Sequence, residues 1–485
     1  MNRNNLLGHV ALALTLVLVA AFAGQVRRWS RQGELLPPPP PPALVEAPPV
    51  PLTESEDENA EVIVRFRPGT SLEQMERLAA RLNDRLEDQY EYVRGYAVVE
   101  DADGLDAQAV ADEYLSQAEV EWAEPNVRIE LDDPAGEVSM DRLHSYLAER
   151  PNDPMLGEQW GLINTGQRNG RDRADIGAIH AWLKKTTGSE EIVVAVLDTG
   201  VDYTHTDLMN NIWLRPETVA AYRDKQLGTI DDLHGYNAAD NNGDPMDDNG
   251  HGTHCAGIIG AEGNNGRGIA GVNWRVQIMP LKFLGSGGSG TTKDAIEAIN
   301  YAIDRKKNGV NLRIISASWG STARSRALEE AIKRAGEEGI LFVAAAGNSS
   351  VNNDRTPHYP SSYPLPNVVA VAALDRFDQL ASFSNFGERS VHVAAPGKEI
   401  LSTWLEEDFR EASGTSMATP MVSGVAALVL AVEPNLTVAE LRERLVKSVE
   451  PVEALRGKVA SGGRTCAAAA VGLGTHTHGF VGWEP

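Results

Sequence analysis

The sequence predicts an α/β protein: a three-layer domain with a mainly parallel sheet covered by helices on both faces, preceded by a smaller α+β domain. Three observations carry this. From residue 192 onward, short apolar runs alternate with segments of helical period, the pattern of parallel strands joined by crossover helices. Residues 421–432 are small and aliphatic on every side, so the helix they form belongs in the middle of a large core. Residues 61–122 read differently, as strand, helix, two strands, helix and strand.

In chain order, residues 1–24 carry Arg3, an uncharged apolar stretch from Leu6 through Ala23 and an Ala21-Phe22-Ala23 cleavage pattern. They read as a secretion signal. A retained membrane anchor is the rival, because the stretch is near the lower length limit for spanning and Arg27, Arg28 and Arg31 follow it. Residues 25–59 form a Pro-rich, then acidic, linker that favours extended polyproline II. The domain at 60–130 has strands at 61–66, near 90–99 and at 120–122, with helices over 72–86 and 107–115. That βαββαβ order predicts a ferredoxin-like α+β fold. Residues 131–150 are an acidic linker, and the large domain occupies 151–470.

In the large domain the pattern predicts strands over 192–197, 276–284, 312–318, 340–345, 368–373 and 391–394. Between and after them it predicts helices from His251, over 292–305 and 324–335, at the 421–432 run and over 438–449. The tail at 471–485 has no assignable role.

Composition narrows the function. With 68 acids against 44 bases, the formal net charge of −24 excludes nucleic acid as a natural partner and favours cation binding. An apolar content of 42% is ample for the core. The only cysteines, Cys255 and Cys466, cannot supply a disulfide framework. Cys255, next to His254, reads as a small buried hydrophobe.

The chemistry concentrates in separated blocks. Gly414-Thr415-Ser416-Met417-Ala418-Thr419-Pro420 opens the apolar helix and puts Ser416 at its positive end. A serine hydroxyl is a poor nucleophile unless an imidazole takes its proton and a third group orients that imidazole. Two upstream blocks offer these: Leu197-Asp198-Thr199-Gly200 ends a strand in an acid, and Asn249-Gly250-His251-Gly252-Thr253-His254 opens a helix with a histidine. A fourth block, Ala345-Ala346-Gly347-Asn348, lies between histidine and serine. The residues Asp198, His251, Asn348 and Ser416 are separated by 53, 97 and 68 positions.

Together these blocks resemble the subtilisin family of serine peptidases over about residues 150–470, in particular its calcium-binding thermitase branch. The resemblance implies a secreted or envelope-located endopeptidase. His251 would be the general base, Asp198 its orienting acid, Ser416 the nucleophile and Asn348 the oxyanion donor. It also implies that Gly288-Ser289-Gly290 and Ser318-Trp319-Gly320 flank a cleft and pair with substrate main chain, with a first pocket walled by 318–320 and by Ala345, Ala346 and Gly347. The 60–130 domain, ending in Ala123-Glu124-Pro125-Asn126, resembles the inhibitory propeptides of subtilisins; a separate binding domain is the alternative. The processing site is not readable between 130 and 154. Expected partners are protein or peptide substrates and the chain's own propeptide. The expected state is a monomer without stable membrane association, unless the N-terminal segment is retained.

Calcium is implied at two places. The turn-rich loop before His251 gathers oxygen donors, and Asn237, Asp240, Asn242 and Asp244 fall where thermitase-like proteins bind Ca2+. Asn237 there replaces an acid, and Met246 supplies no side-chain oxygen. Asp153, Asp207 and Asn265, with carbonyls of the 262–269 loop, would form the second site. A solvated acidic loop is the plain reading of each. His205 and His254 read as structural, since a metal bound to His251 and His254 would disable the base.

Rival chemistries fail on context. Residues 285–290 satisfy G-x-G-x-x-G between a strand and a helix, but no acid ends the following strand at 312–318. The second match, at 266–271, follows a helix and enters a strand. An α/β-hydrolase would need G-x-S-x-G where Ala418 stands, and another order of the three residues. A peptidase that has lost catalysis and only binds would be expected to lack one of these side chains. None is missing.

Overall fold

A computed structural model describes residues 60–132, apart from 94 and 103, and 151–474. The signal or anchor at 1–24, the linker at 25–59, the processing region from 133 to 150 and the tail beyond 474 lie outside the described residues.

The N-terminal domain is the expected βαββαβ unit. Its sheet runs Arg85–Gln89, Tyr96–Glu100, Glu61–Phe66, Val120–Pro125, antiparallel throughout. The first helix is Leu72–Arg81, shorter than expected. It starts in a capping box between Ser71 and Gln74, and soon after its end Asn83 adopts a φ of +66°. Residues 85–89, which the periodicity assigned to that helix and beyond it, therefore form a strand. The second helix, Ala107–Leu115, is as expected, capped by Asp106.

The large domain is built on a nine-stranded sheet. From edge to edge it runs Val449–Pro451, Gly463–Thr465, Val393–Pro396, Val368–Leu374, Leu341–Ala345, Leu312–Ala317, Gly188–Asp198, Arg275–Lys282 and Tyr236–Asn237. All neighbours are parallel except the first pair. Side chains of the central strand Gly188–Asp198 alternate between two cores. Ile192, Val194 and Val196 face one with the helix Thr415–Val432, while Val193, Ala195 and Leu197 face the other with the helices Thr292–Lys307 and Arg326–Glu337. A strand buried on both faces is continuously apolar.

The helix Thr415–Val432 is long and apolar enough to cross a membrane by composition, yet it is buried from Thr415 through Leu430 as the axis of the core. The strands at Val449–Pro451, Gly463–Thr465 and Tyr236–Asn237 were not expected; each is only two or three residues long. Helix 438–449 ends early, at Lys447, where the edge strand begins. Cys255 and Cys466 are both buried thiols.

Candidate active site

Asp198 is the last residue of the central strand and His251 the first of the helix His251–Gly260. The His251 Nδ1 lies 2.7 Å from Asp198 Oδ1, which also accepts the Thr199 N–H at 2.7 Å. Asp198 is fully buried and His251 nearly so, so their pairing is little screened. The turn after Asp198 is pinned to the histidine helix by Asp247. One oxygen of that buried carboxylate accepts from Thr199 Oγ1 and the Gly250 N–H, and the other from the Thr253 N–H and hydroxyl. An acid at a helix start satisfies orphan amides and favours the helix dipole. Lys282, buried on the adjacent strand, donates to Thr199 O, Leu284 O and Asp248. Sequence reasoning passed over Asp247 and Lys282, although an acid just ahead of a helix is a readable signal.

Ser416 lies in the first turn of Thr415–Val432, which packs against the histidine helix. Pro420 lacks the N–H that would bond the Ser416 carbonyl four residues back. That carbonyl is instead taken by Ser318 Oγ at 2.8 Å and Cys255 Sγ at 3.6 Å. Cys255 is one turn along from His251, so its thiol ties the two helices together beneath the site. Polar atoms of Asp198, His251 and Cys255 fall within 4.8 Å of one another. The Ser416 hydroxyl donates to Ser318 O at 3.1 Å.

Asn348 follows the strand Leu341–Ala345. Its side-chain oxygen accepts from the Thr415 N–H at 2.8 Å and the Thr415 hydroxyl at 3.0 Å, which turns its NH2 into the cleft. Ser289–Thr291 and Gly320 border that cleft, and between them lies the chain's own segment Arg128–Glu130. Ser289 pairs with Glu130 and Gly290 with Ile129, Glu130 bridges to Gly320, and Leu131 N–H donates to Gly288 O at 3.0 Å. The Asp132 carbonyl oxygen lies 3.3 Å from Asn348 Nδ2. The expected cleft residues are thus brought together, with two refinements. Trp319 turns its indole into the core, donating to Leu197 O at 2.8 Å, and Ser318 supports the serine helix. Ala346 is buried beneath Gly347, whose N–H donates to Thr415 Oγ1.

The N-terminal domain delivers this segment by capping two helices. Glu124 accepts from Ser325 Oγ at 2.7 Å and from the Arg326 and Ala327 amides at the start of Arg326–Glu337. Asn126 Oδ1 and Val127 O accept the Lys293 and Thr292 amides at the start of Thr292–Lys307. The glycine pattern at 285–290 lies in the turn entering this cleft edge.

The two cation loops differ. Asp153 and Asp207 are buried close enough to repel, and burial holds Asp153 up at about 6 and Asp207 above the usual carboxylate range. Asn265 joins them, donating its side chain to Asp207 at 2.8 Å and its amide to Asp153 at 3.2 Å. At the other loop Asn237 donates to Asp240 at 2.9 Å and to Asp244 O at 3.1 Å, while Asn242 accepts the Asp244 amide at 2.8 Å. There the protein's own donors already do part of a cation's work. His254 faces the carbonyls of Ile400 and Arg410, and His205 accepts the Asp207 amide, both structural arrangements.

Residues 189–474 match the peptidase family described as the subtilase family. The chain belongs to the subtilase family. This subtilase is 34% identical over 400 residues to the thermophilic serine proteinase of Bacillus sp. (strain AK1), covering 81% of the chain and 82% of that protein. It is 37% identical over 280 residues to thermitase of Thermoactinomyces vulgaris, covering 57% and 84%, and 37% identical over 269 residues to the minor extracellular protease Epr of Bacillus subtilis (strain 168), covering 56% and 36%. Its residues 58–126 match the fervidolysin N-terminal prodomain. It is a subtilisin-like serine endopeptidase of the thermitase kind, made as a zymogen whose prodomain is its own inhibitor.

Proposed function

We propose that this subtilase hydrolyses internal peptide bonds with Ser416 as nucleophile, His251 as general base and Asp198 as the acid that orients it. Asp198 accepts the Nδ1 proton of His251, which leaves Nε2 to take the hydroxyl proton and later pass it to the departing amine. The charge that develops on the substrate carbonyl oxygen is met by Asn348 Nδ2 and by the Ser416 amide in the first turn of its helix. Substrate main chain adds as a strand between Ser289–Thr291 and Gly320.

The observation that supports this best is the chain's own segment in that position, presenting the Asp132 carbonyl to Asn348. A fluorophosphonate probe tests it. The processed protein should label at Ser416, a Ser416→Ala variant should not, and an unlabelled processed wild type would refute the assignment.

The remainder of the reading concerns setting and support. The domains divide as signal 1–24, linker 25–59, prodomain 60–130, processing linker 131–150, peptidase 151–470 and tail. The chain is exported and works as a monomer, a reading supported by the N-terminal sequence and by relatives such as Epr, whose name marks it extracellular. Calcium fits Asp153, Asp207 and Asn265, where two carboxylates are buried together and held above the usual range; Asp240, Asn242, Asp244 and Asn237 form the weaker site. Bound there, Ca2+ would neutralise the carboxylates and brace the loops.

A further inference from the structure

The segment in the cleft carries an acid, Asp132, against Asn348, and beside it lies a histidine outside the catalytic set. His358 is buried and comes back under the cleft ten positions after Asn348. Its ring fills the space between the two walls of the first pocket. A Cβ on Gly320 would lie 2.1 Å from His358 Cε1, and one on Gly347, where φ is +102°, would lie 3.0 Å from Cδ2. Glycine on both walls lets the imidazole form the pocket's side. Among the described residues the one carboxylate within ion-pair distance of the ring is Asp132, with Oδ2 3.9 Å from Nε2. The same carboxylate accepts the Asn348 backbone N–H at 3.1 Å and Asn348 Nδ2 at 3.2 Å. Two N–H groups of Asn348 therefore hold this acidic side chain, with the His358 ring edge 3.9 Å from it, while its carbonyl faces Asn348 Nδ2.

We infer that the first specificity pocket of this subtilase selects an acidic side chain through His358, and that the bond after Asp132 is the enzyme's first substrate. Burial holds the imidazole's affinity for a proton below its ordinary value, against the smaller opposing pull of the Asp132 carboxylate and the Ala345 carbonyl. An acidic side chain entering the pocket places its carboxylate against the imidazole edge and the Asn348 N–H groups, where an acceptor is favoured. An apolar side chain leaves a buried imidazole and a backbone N–H without that acceptor. In the processing step Ser416 Oγ bonds to the Asp132 carbonyl carbon, and the C–N bond to Asp133 breaks. The serine proton passes through His251 to the released amine. Water then hydrolyses the ester, restoring Ser416 and leaving a carboxylate on Asp132. The inference rests on the catalytic reading above and extends it to substrate class.

The test pairs a processing assay with peptides. Mass spectrometry of freshly processed protein should find a propeptide ending at Asp132. The processed enzyme should cleave acetyl-Ile-Glu-Leu-Asp-p-nitroanilide with kcat/KM about 10- to 100-fold above the same peptide ending in Leu, the range for hydrogen bonds to a charged group. His358→Leu should reverse that preference, and His358→Gln, closer in shape, should reduce it. Asp132→Leu should slow processing in the wild type and recover it in the His358→Leu background. An enzyme that labels with fluorophosphonate but prefers Leu or Phe, or whose propeptide ends elsewhere, overturns the pocket assignment alone. An enzyme that neither labels nor cuts any peptide overturns the catalytic reading and this inference with it.

Discussion

The helix carrying Ser416 has a defect at Pro420, and Ser318 is what mends it. Without an N–H at Pro420 the Ser416 carbonyl, almost fully buried, depends on Ser318 Oγ at 2.8 Å and on the weak thiol donor of Cys255 at 3.6 Å. Replacing Ser318 by Ala removes the stronger of these two donors from a buried acceptor. An unsatisfied buried group costs about 1–3 kcal/mol, and the remaining thiol places the expected loss in the lower half, about 1–2 kcal/mol. In a Pro420→Ala background residue 420 regains its N–H and can close the helical bond to Ser416, so the same change should cost less than about 0.5 kcal/mol. Ser416→Ala, which keeps the carbonyl, serves as the parent for all four proteins and prevents self-digestion. Urea unfolding by tryptophan fluorescence gives the cycle. Equal costs for Ser318→Ala with and without Pro420 would refute the argument, because the bond would then be unrelated to the missing amide.

Asn348→Ala should retain fluorophosphonate binding surfaces but lower kcat by about 100- to 1000-fold with little change in KM; that range is the one established for the equivalent subtilisin asparagine rather than derived from this geometry. A smaller drop, or one confined to KM, counts against its role. Adding EDTA to processed protein should lower Tm, and Asp207→Asn should remove most of that shift while Asp240→Asn leaves most of it; no response to EDTA would remove both cation sites. The prodomain should loosen as pH rises. Burial lifts Glu87, beside Glu61 and Lys293, to about 7 and Asp88, near Asp224, to about 6, and the same carboxylates crowd the more deeply buried Glu297 of the peptidase. Acids with raised values in the docked state stabilise it fully below their ordinary range near 4.5, and the contribution is lost as pH climbs through about 6 to 7. After allowance for solvent screening this amounts to roughly 1 kcal/mol. Hydrogen exchange of the Ser416→Ala zymogen, corrected for intrinsic rates, should show Arg85–Gln89 opening more readily at pH 8 than at pH 5, and Glu87→Gln should flatten the difference; a pH-independent profile would reject it.

Much of the fold is legible along the chain because parallel strands buried on both faces and the helices between them carry strong periodic signals. Asp198, His251, Asn348 and Ser416 could be named for a related reason. Each stands at the end of such an element, where a strand stops or a helix begins, within a block of small residues. The edge strands Val449–Pro451 and Gly463–Thr465 could not be seen, since two or three residues have no period and pair only because the rest of the sheet exposes an edge. The helix over 72–86 was drawn too long for a similar reason: residues 85–89 become a strand through pairing with Tyr96–Glu100.

The sequence by itself determined the order of the central strands and their helices, because periodic patterning is written in neighbouring positions, and its four blocks, through their resemblance to subtilisins, pointed to the class of chemistry and the side chains proposed for it. Tertiary structure alone decided that Asp132 lies against Asn348, more than 200 positions away, that Ser318 completes a helix broken by Pro420, and that the His358 ring lies between Gly320 and Gly347. Those relations depend on distances between atoms far apart in the chain, and they exist only once the two cores have closed and brought the strand ends, helix starts and prodomain tail to one side of the sheet.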